Sequence, residues 1–92
     1  MNIEFTPQAW ADFNYWIEYD QAKIEKLRDL IRSISQDPFK GLGSPEPLRH
    51  ELSGFWSRRI DHEHRLVYWI SGTKGKDQKI QIIQCRFHYD LK

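Results

Sequence analysis

The chain has 92 residues, with 14 basic and 13 acidic side chains and a formal net charge of +1. That length leaves room for one hydrophobic core, and the charge balance excludes both a histone-like basic arm and an acidic solvating segment. Aromatic residues make up 14% of the chain, and each buries roughly 150–250 Å², so a small core can close and disorder is excluded.

In chain order, Ile3 and Phe5 alternate with polar neighbours, as in a short strand. Thr6-Pro7 reads as an N-cap followed by proline at the first helical position. Trp10, Phe13, Trp16 and Ile17 then recur at helical steps and form an aromatic stripe. Asp20 is placed to cap a second helix, whose apolar face is Ile24, Leu27, Leu30 or Ile31, and Ile34. Asp37-Pro38 ends that helix, because the residue before proline is pushed out of the α region. The minimal joint at Asp20 makes the two helices a hairpin.

Residues 40–47 carry two Gly and two Pro and read as a loop. Four strand-like runs follow, at 48–52, 55–60, 64–70 and 80–88. Ser53-Gly54 and Asp61-His62-Glu63 fall where tight turns are needed, and the polar segment 71–79 makes a longer hairpin tip. One domain over residues 1–92 is expected. Its class is α+β: an N-terminal strand, a two-helix hairpin, then a four-stranded, mostly antiparallel twisted sheet.

The single Cys85 excludes a disulfide framework. The start, Met1 to Phe5, lacks the basic and apolar regions of a secretory leader, and no run approaches the roughly 20 apolar residues of a membrane span. A soluble cytoplasmic protein with no membrane partner is the expectation.

Charge is unevenly distributed. Residues 1–39 hold four basic and seven acidic side chains, net −3, whereas residues 40–92 hold ten and six, net +4. Three features of the basic half bear on chemistry. Glu46 lies between Pro45 and Pro47, which stiffen the backbone around it. A preorganised carboxylate suits a general base, and the plainer reading is a solvated Glu in a rigid turn. Arg49, Arg58, Arg59 and Arg65 fall within 17 residues. Strand alternation sends Arg58 and Arg59 to opposite faces, while Arg65 can share a face with Arg59 across a turn. Such a cluster suits phosphate, with Phe55, Trp56, Tyr68 and Tyr89 interleaved to stack bases; it equally suits a sheet edge protected by charge. The third feature is the C-terminal Cys85-Arg86-Phe87-His88-Tyr89, in which His88 can serve as a general acid near neutrality, or simply belong to a frayed end.

Other candidates are weaker. His62-x-His64 has no accompanying ligand set of known spacing, so no metal site is expected. Cys85 and His88 are three apart on a strand and face opposite sides. Gly41-Leu42-Gly43 lacks the Gly-Lys-Ser/Thr of a phosphate loop. A base, an acid and arginines together suit RNA cleavage without a metal. The base takes the ribose 2′-OH proton, that oxygen attacks the adjacent phosphorus, and the acid protonates the leaving 5′-oxygen.

Three strings carry a family resemblance: Pro45-Glu46-Pro47-Leu48-Arg49-His50, Leu52-Ser53-Gly54-Phe55-Trp56-Ser57-Arg58-Arg59-Ile60 and Glu63-His64-Arg65-Leu66-Val67-Tyr68. Together with Trp10, Trp16, Pro38-Phe39 and Arg86-x-His88-Tyr89, they closely resemble the YoeB (Txe/YoeB) toxins of the RelE superfamily, from bacterial type II toxin–antitoxin systems. The resemblance implies two helices on a twisted antiparallel sheet, and a ribosome-dependent endoribonuclease that cuts mRNA in the ribosomal A site without a cofactor. It assigns Glu46 as general base, Arg65 as phosphate-stabilising arginine, His88 as general acid and Tyr89 as the tyrosine that orders the site. Arg49, where a lysine is usual, and Arg59 become RNA contacts. The implied partners are the 70S ribosome with its mRNA and a YefM-like antitoxin whose acidic C-terminal segment folds over the basic cleft. The resemblance also allows a toxin homodimer, with operator DNA bound mainly through the antitoxin. Asp90-Leu91-Lys92 extend beyond the usual end of such chains, and the 71–79 tip is longer than usual. The competing reading is a non-cleaving A-site binder, or a corepressor acting through its antitoxin.

Overall fold

The computed structural model describes residues 1–88. It has strand β1 (Asn2–Phe5), helices α1 (Pro7–Tyr19) and α2 (Gln21–Gln36), and strands β2 (Glu46–Pro47), β3 (Trp56–Arg59), β4 (Arg65–Ser71) and β5 (Lys79–Gln84). All five strands form one sheet in the order β1-β5-β4-β3-β2. Every neighbouring pair is antiparallel except β1 with β5, which is parallel. The helical hairpin therefore carries the chain from one edge of the sheet to the other.

The local signals at the helix ends work as their chemistry dictates. Thr6 Oγ1 accepts the Ala9 N–H at 3.1 Å with Pro7 behind it. The second helix stops at Asp37, ahead of Pro38. Asp20 occupies the joint, but its side chain makes no capping bond; it lies 4.0 Å from Lys23 instead.

The core is a single cluster between the helices and one sheet face. Ile24, Leu27, Leu30 and Ile34 of α2 meet Leu66, Tyr68, Ile80 and Ile82, with Ala9 and Trp16 contributed by α1. The aromatic stripe of α1 sits differently from its periodicity. Trp10 and Ile17 are exposed, and the buried face is Ala9, Asp12 and Trp16. Trp10 stays at the rim against Phe5 and Phe13, because β1 at the sheet edge is too narrow to cover it.

Two strand expectations are corrected. Residues 48–52 are not a strand: the ladder occupies Glu46–Pro47, and His50–Leu52 is a 3₁₀ turn. His50 has φ +57°, which breaks an extended path. The turn is fixed by Gly54, at φ +96°, where an added Cβ would stand 2.5 Å from the Trp69 ring. The last strand ends at Gln84 rather than running to residue 88. Phe87 has φ +65°, so strict alternation past Cys85 fails.

Candidate functional site

Paired residues in a sheet share a face, and so do residues two apart. Glu46 pairs with Ser57, and Ser57 with Val67. Arg59 pairs with Arg65. These registers put Glu46, Arg59 and Arg65 on one face, the one turned away from the helices. The intervening rungs, Ser57 and Val67, are buried, so that face has a solid floor between Glu46 at one edge and Arg65 on the third strand.

The loop that delivers Glu46 is held from below by Arg58. This side chain faces the opposite way from Arg59 and is fully buried. Its guanidinium donates to Ser33 Oγ (2.8 Å), to the carbonyls of Leu42 (2.9 Å), Asp37 (2.7 Å) and Lys40 (3.1 Å), and to Tyr68 Oη (3.1 Å). All donor positions of the fork are thus spent on the 37–42 loop and the core. Arg58 therefore leaves the cationic series: it is a structural strut, not a phosphate contact. Tyr68 Oη in turn donates to the Pro38 carbonyl at 2.6 Å. Burial raises the Tyr68 phenol above its ordinary range, with Arg58 pulling the other way. At the far end of the loop, Arg59 N–H donates to the Gly43 carbonyl at 2.7 Å.

Arg65 is half-buried, and its Nη1 donates to the carbonyls of Asp61 (2.6 Å) and His64 (3.0 Å). Arg59 and Arg49 are exposed. Among the described residues, no carboxylate forms an ion pair with Arg49, Arg59 or Arg65. Among the described residues these arginines thus keep their charge available to an anionic partner. The turn under it is fixed by Asp61, whose Oδ1 accepts the N–H groups of Glu63 (2.8 Å) and His64 (2.7 Å) while Oδ2 pairs with Lys23 (3.0 Å). Partial burial works against the charged carboxylate, yet these donors and the Lys23 ammonium bring it down to about 2.

The segment carrying His88 is fixed by alternating bonds. At Cys85, Trp16 Nε1 donates to the carbonyl (2.7 Å) and Asp12 Oδ2 accepts the N–H (3.0 Å). At Phe87, the carbonyl accepts Arg65 N–H (3.0 Å) and the N–H donates to His64 Nδ1 (2.7 Å). Between them Arg86 lies over Tyr15 at 3.4 Å and over Phe87 at 4.3 Å. The chain thus brings His88, with an exposed side chain, next to the backbone of Arg65. Tyr89 and the extension at 90–92 lie outside the described residues.

Sequence reasoning missed Asp12, His64 and Arg86 as supports of this segment, and Arg58 as the support of the loop. Cys85 is buried and its thiol is pushed up to about 12, mainly by burial, with Asp12 adding to it; it is no nucleophile. His62 and His64 gather no ligands: among the described residues no three His, Cys, Asp or Glu side chains come together to hold a metal ion. No described helix is long and apolar enough to cross a membrane. A groove of about 610 Å³ lies away from these residues, between β1 and the helices, and is lined by Ile3, Phe5, Phe13 and Ile31 with Arg28 and Arg32.

Residues 5–89 match a family model described as the YoeB-like toxin of bacterial type II toxin–antitoxin systems. Toxin YoeB of Streptomyces coelicolor is 48% identical over 89 residues, which is 97% of this chain and all of that protein. Among solved structures, the YoeB/ParE toxin from Agrobacterium tumefaciens superposes with a TM-score of 0.94 at 48% identity, covering 97% of this chain and 100% of that one. A heterotetrameric YoeB–YefM toxin–antitoxin complex from Staphylococcus aureus contains a chain 40% identical, with a TM-score of 0.84 and coverage of 97% and 98%.

Proposed function

The chain belongs to the YoeB-like toxins of bacterial type II toxin–antitoxin systems, and from that premise we propose that it is a ribosome-dependent endoribonuclease that cuts mRNA in the A site. The observation that carries this reading is the shared sheet face of Glu46 and Arg65, with His88 tied alongside through Phe87. Glu46 takes the proton of a ribose 2′-OH. The 2′-oxygen attacks the adjacent phosphorus, and the bond to the 5′-oxygen breaks. His88 gives its proton to that leaving oxygen, so the products are a 2′,3′-cyclic phosphate and a 5′-hydroxyl. Arg65 stabilises the charge that builds on the phosphoryl oxygens. Its carbonyl contacts at Asp61 and His64 hold the guanidinium without neutralising it. Arg59, its cross-strand neighbour, and Arg49 contact the RNA backbone, and Tyr89 orders the site beside His88.

The step needs no metal, since each proton has a side-chain donor or acceptor. The near-neutral chain, with its charge split between the halves, suits an enzyme whose RNA is delivered and positioned by the 70S ribosome. A YefM-like antitoxin neutralises it by laying an acidic segment over the arginine face, and operator DNA is bound mainly through that antitoxin. The S. aureus YoeB–YefM complex supports this partner. Toxin chains also pair with each other in this reading. The residues act within one domain spanning 1–92, in the bacterial cytoplasm where ribosomes are.

The test is a reconstituted translation reaction with mRNA 5′ ends mapped after toxin is added. Cleavage in the A-site codon, with little cutting of free RNA, is the expected result. Arrested ribosomes on uncut mRNA would replace this reading with simple A-site occupancy.

A further inference from the structure

Two successive residues clamp Phe87. Arg65 donates its N–H to the Phe87 carbonyl, and His64 Nδ1 accepts the Phe87 N–H at 2.7 Å. Phe87 is the kink residue, at φ +65°, a conformation that non-glycine residues hold only when their surroundings impose it. His88 follows directly, so the direction in which it leaves the sheet depends on this clamp.

The bond dictates the state of the imidazole. Nδ1 can accept only when it carries no proton, so His64 must be the neutral Nε2–H tautomer. Nε2 lies 3.5 Å from Glu63 Oε1. The ring has little room to turn. It meets Trp16 of α1 edge-on at 4.8 Å and Phe87 at 5.9 Å, and its side chain is only 12% exposed. A second proton would set two N–H groups head-on across 2.7 Å.

The charged groups around it are mixed in sign. The turn contributes Glu63 and Asp61, α2 contributes Lys23, which pairs with Asp61, and β4 contributes Arg65. Arg86 and His88 belong to the clamped segment itself, and Asp12 of α1 holds that segment at Cys85.

We propose that His64 is a positioning residue: its unprotonated Nδ1 holds Phe87 so that His88 stands beside Arg65, and protonation of His64 releases the segment. The proposal rests on the cleavage reading above for His88, and it adds a second histidine with the opposite requirement. His88 must carry a proton to act, whereas His64 must lack one. Cleavage is then confined to a pH window, with His64 setting the acid side.

The test compares wild type, His64→Ala and His64→Asn. The Asn side-chain oxygen takes roughly the place of Nδ1 and accepts a hydrogen bond at any pH. Single-turnover A-site cleavage on saturating ribosomes is measured against pH, together with ribosome affinity. His64→Ala is expected to cut about tenfold to a hundredfold more slowly with affinity changed less than about twofold, as misplacement of a reacting group requires. His64→Asn is expected to recover most of the neutral-pH rate and to keep it at lower pH than wild type does. Coincident acid limbs for wild type and His64→Asn would overturn the proposal.

An independent readout separates failure of the clamp from failure of the cleavage reading. Protection of the Phe87 amide, its intrinsic exchange rate at each pH divided by the rate followed by NMR in the free toxin, should fall as wild type is acidified and persist in His64→Asn. Equal protection in both across that range overturns the clamp whether or not mRNA is cut. The expected protection pattern in a toxin that leaves mRNA uncut upholds the clamp and rejects only the cleavage reading.

Discussion

Arg58 and Tyr68 stack across two strands, with the guanidinium 5.8 Å from the ring centre and Nε donating to Oη at 3.1 Å. Neither touches the open face, yet together they secure Pro38, Asp37, Lys40 and Leu42, and so the loop that ends in Glu46. A buried cation satisfied by carbonyls rather than by a carboxylate depends on the number and direction of its donors. Arg58→Leu strands several buried carbonyls and is expected to cost about 3–5 kcal/mol. Arg58→Lys keeps the charge but supplies three donors without the fork, and recovers less than half of that loss. Urea denaturation checks both; a lysine variant as stable as wild type would contradict the strut.

Tyr68 supplies a second check on the same element. Its phenol is raised by burial, so the folded state binds that proton more tightly than the unfolded chain does. The stability this contributes is complete below the unfolded value near 10 and is lost as pH rises through the folded value. Tyr68→Phe removes the bond to Pro38 at a cost of about 1 kcal/mol near neutrality. It should also flatten the alkaline decline, as read by thermal melts between pH 8 and pH 11.

Asp61 governs the acid side of stability. Its carboxyl is held at about 2, below the ordinary value of 3.8. The stabilisation is present above the unfolded value and fades as pH falls from about 4 through about 2. Solvent screening limits it to about 1–2 kcal/mol. Asp61→Asn should therefore be less stable than wild type at pH 6, and the gap should close by pH 2. A constant gap would mean that the Lys23 pair and the turn bonds do not depend on the charge.

Cys85 should be chemically silent while the protein is folded. Its thiol is buried and pushed up to about 12, so at pH 8 almost no thiolate exists and reagent has no path to it. Mass spectrometry after iodoacetamide treatment is expected to show an unlabelled protein in buffer and a singly labelled one in urea. Fast labelling in buffer would show that the 85–88 segment opens readily.

If His88 donates the proton to the leaving oxygen, cleavage must fall as the imidazolium is lost. Single-turnover rates on programmed ribosomes should decline at high pH. His88→Ala should lower the rate about 10²- to 10⁴-fold. A rate flat through that range would remove His88 as the acid.

Much of this architecture was legible because its signals are local. Thr6-Pro7 and Asp37-Pro38 act on their own backbone, and the buried positions of α2 follow from spacing alone. Strand alternation also separated Arg58 from Arg59 and joined Arg59 to Arg65. What alternation cannot state is which face is covered, so Arg58 read as a phosphate ligand until the helices closed over it. Trp10 shows the same limit: a helical stripe says nothing about how wide the sheet beneath it is. His64 was invisible for another reason. Its partner lies 23 residues away, at a phenylalanine whose positive φ has no sequence signature.

The proposed cleavage turns on Glu46 removing the 2′-OH proton. Single-turnover cleavage of A-site mRNA by wild type and by Glu46→Ala, with a parallel 2′-deoxy substitution at the scissile nucleotide, tests it most directly. The expected outcome is a wild-type product ending in a 2′,3′-cyclic phosphate, a loss of about 10²- to 10⁴-fold in the Glu46→Ala variant, and no cutting of the deoxy substrate. Cleavage by Glu46→Ala at the wild-type rate, or scission of the deoxy substrate, would contradict it.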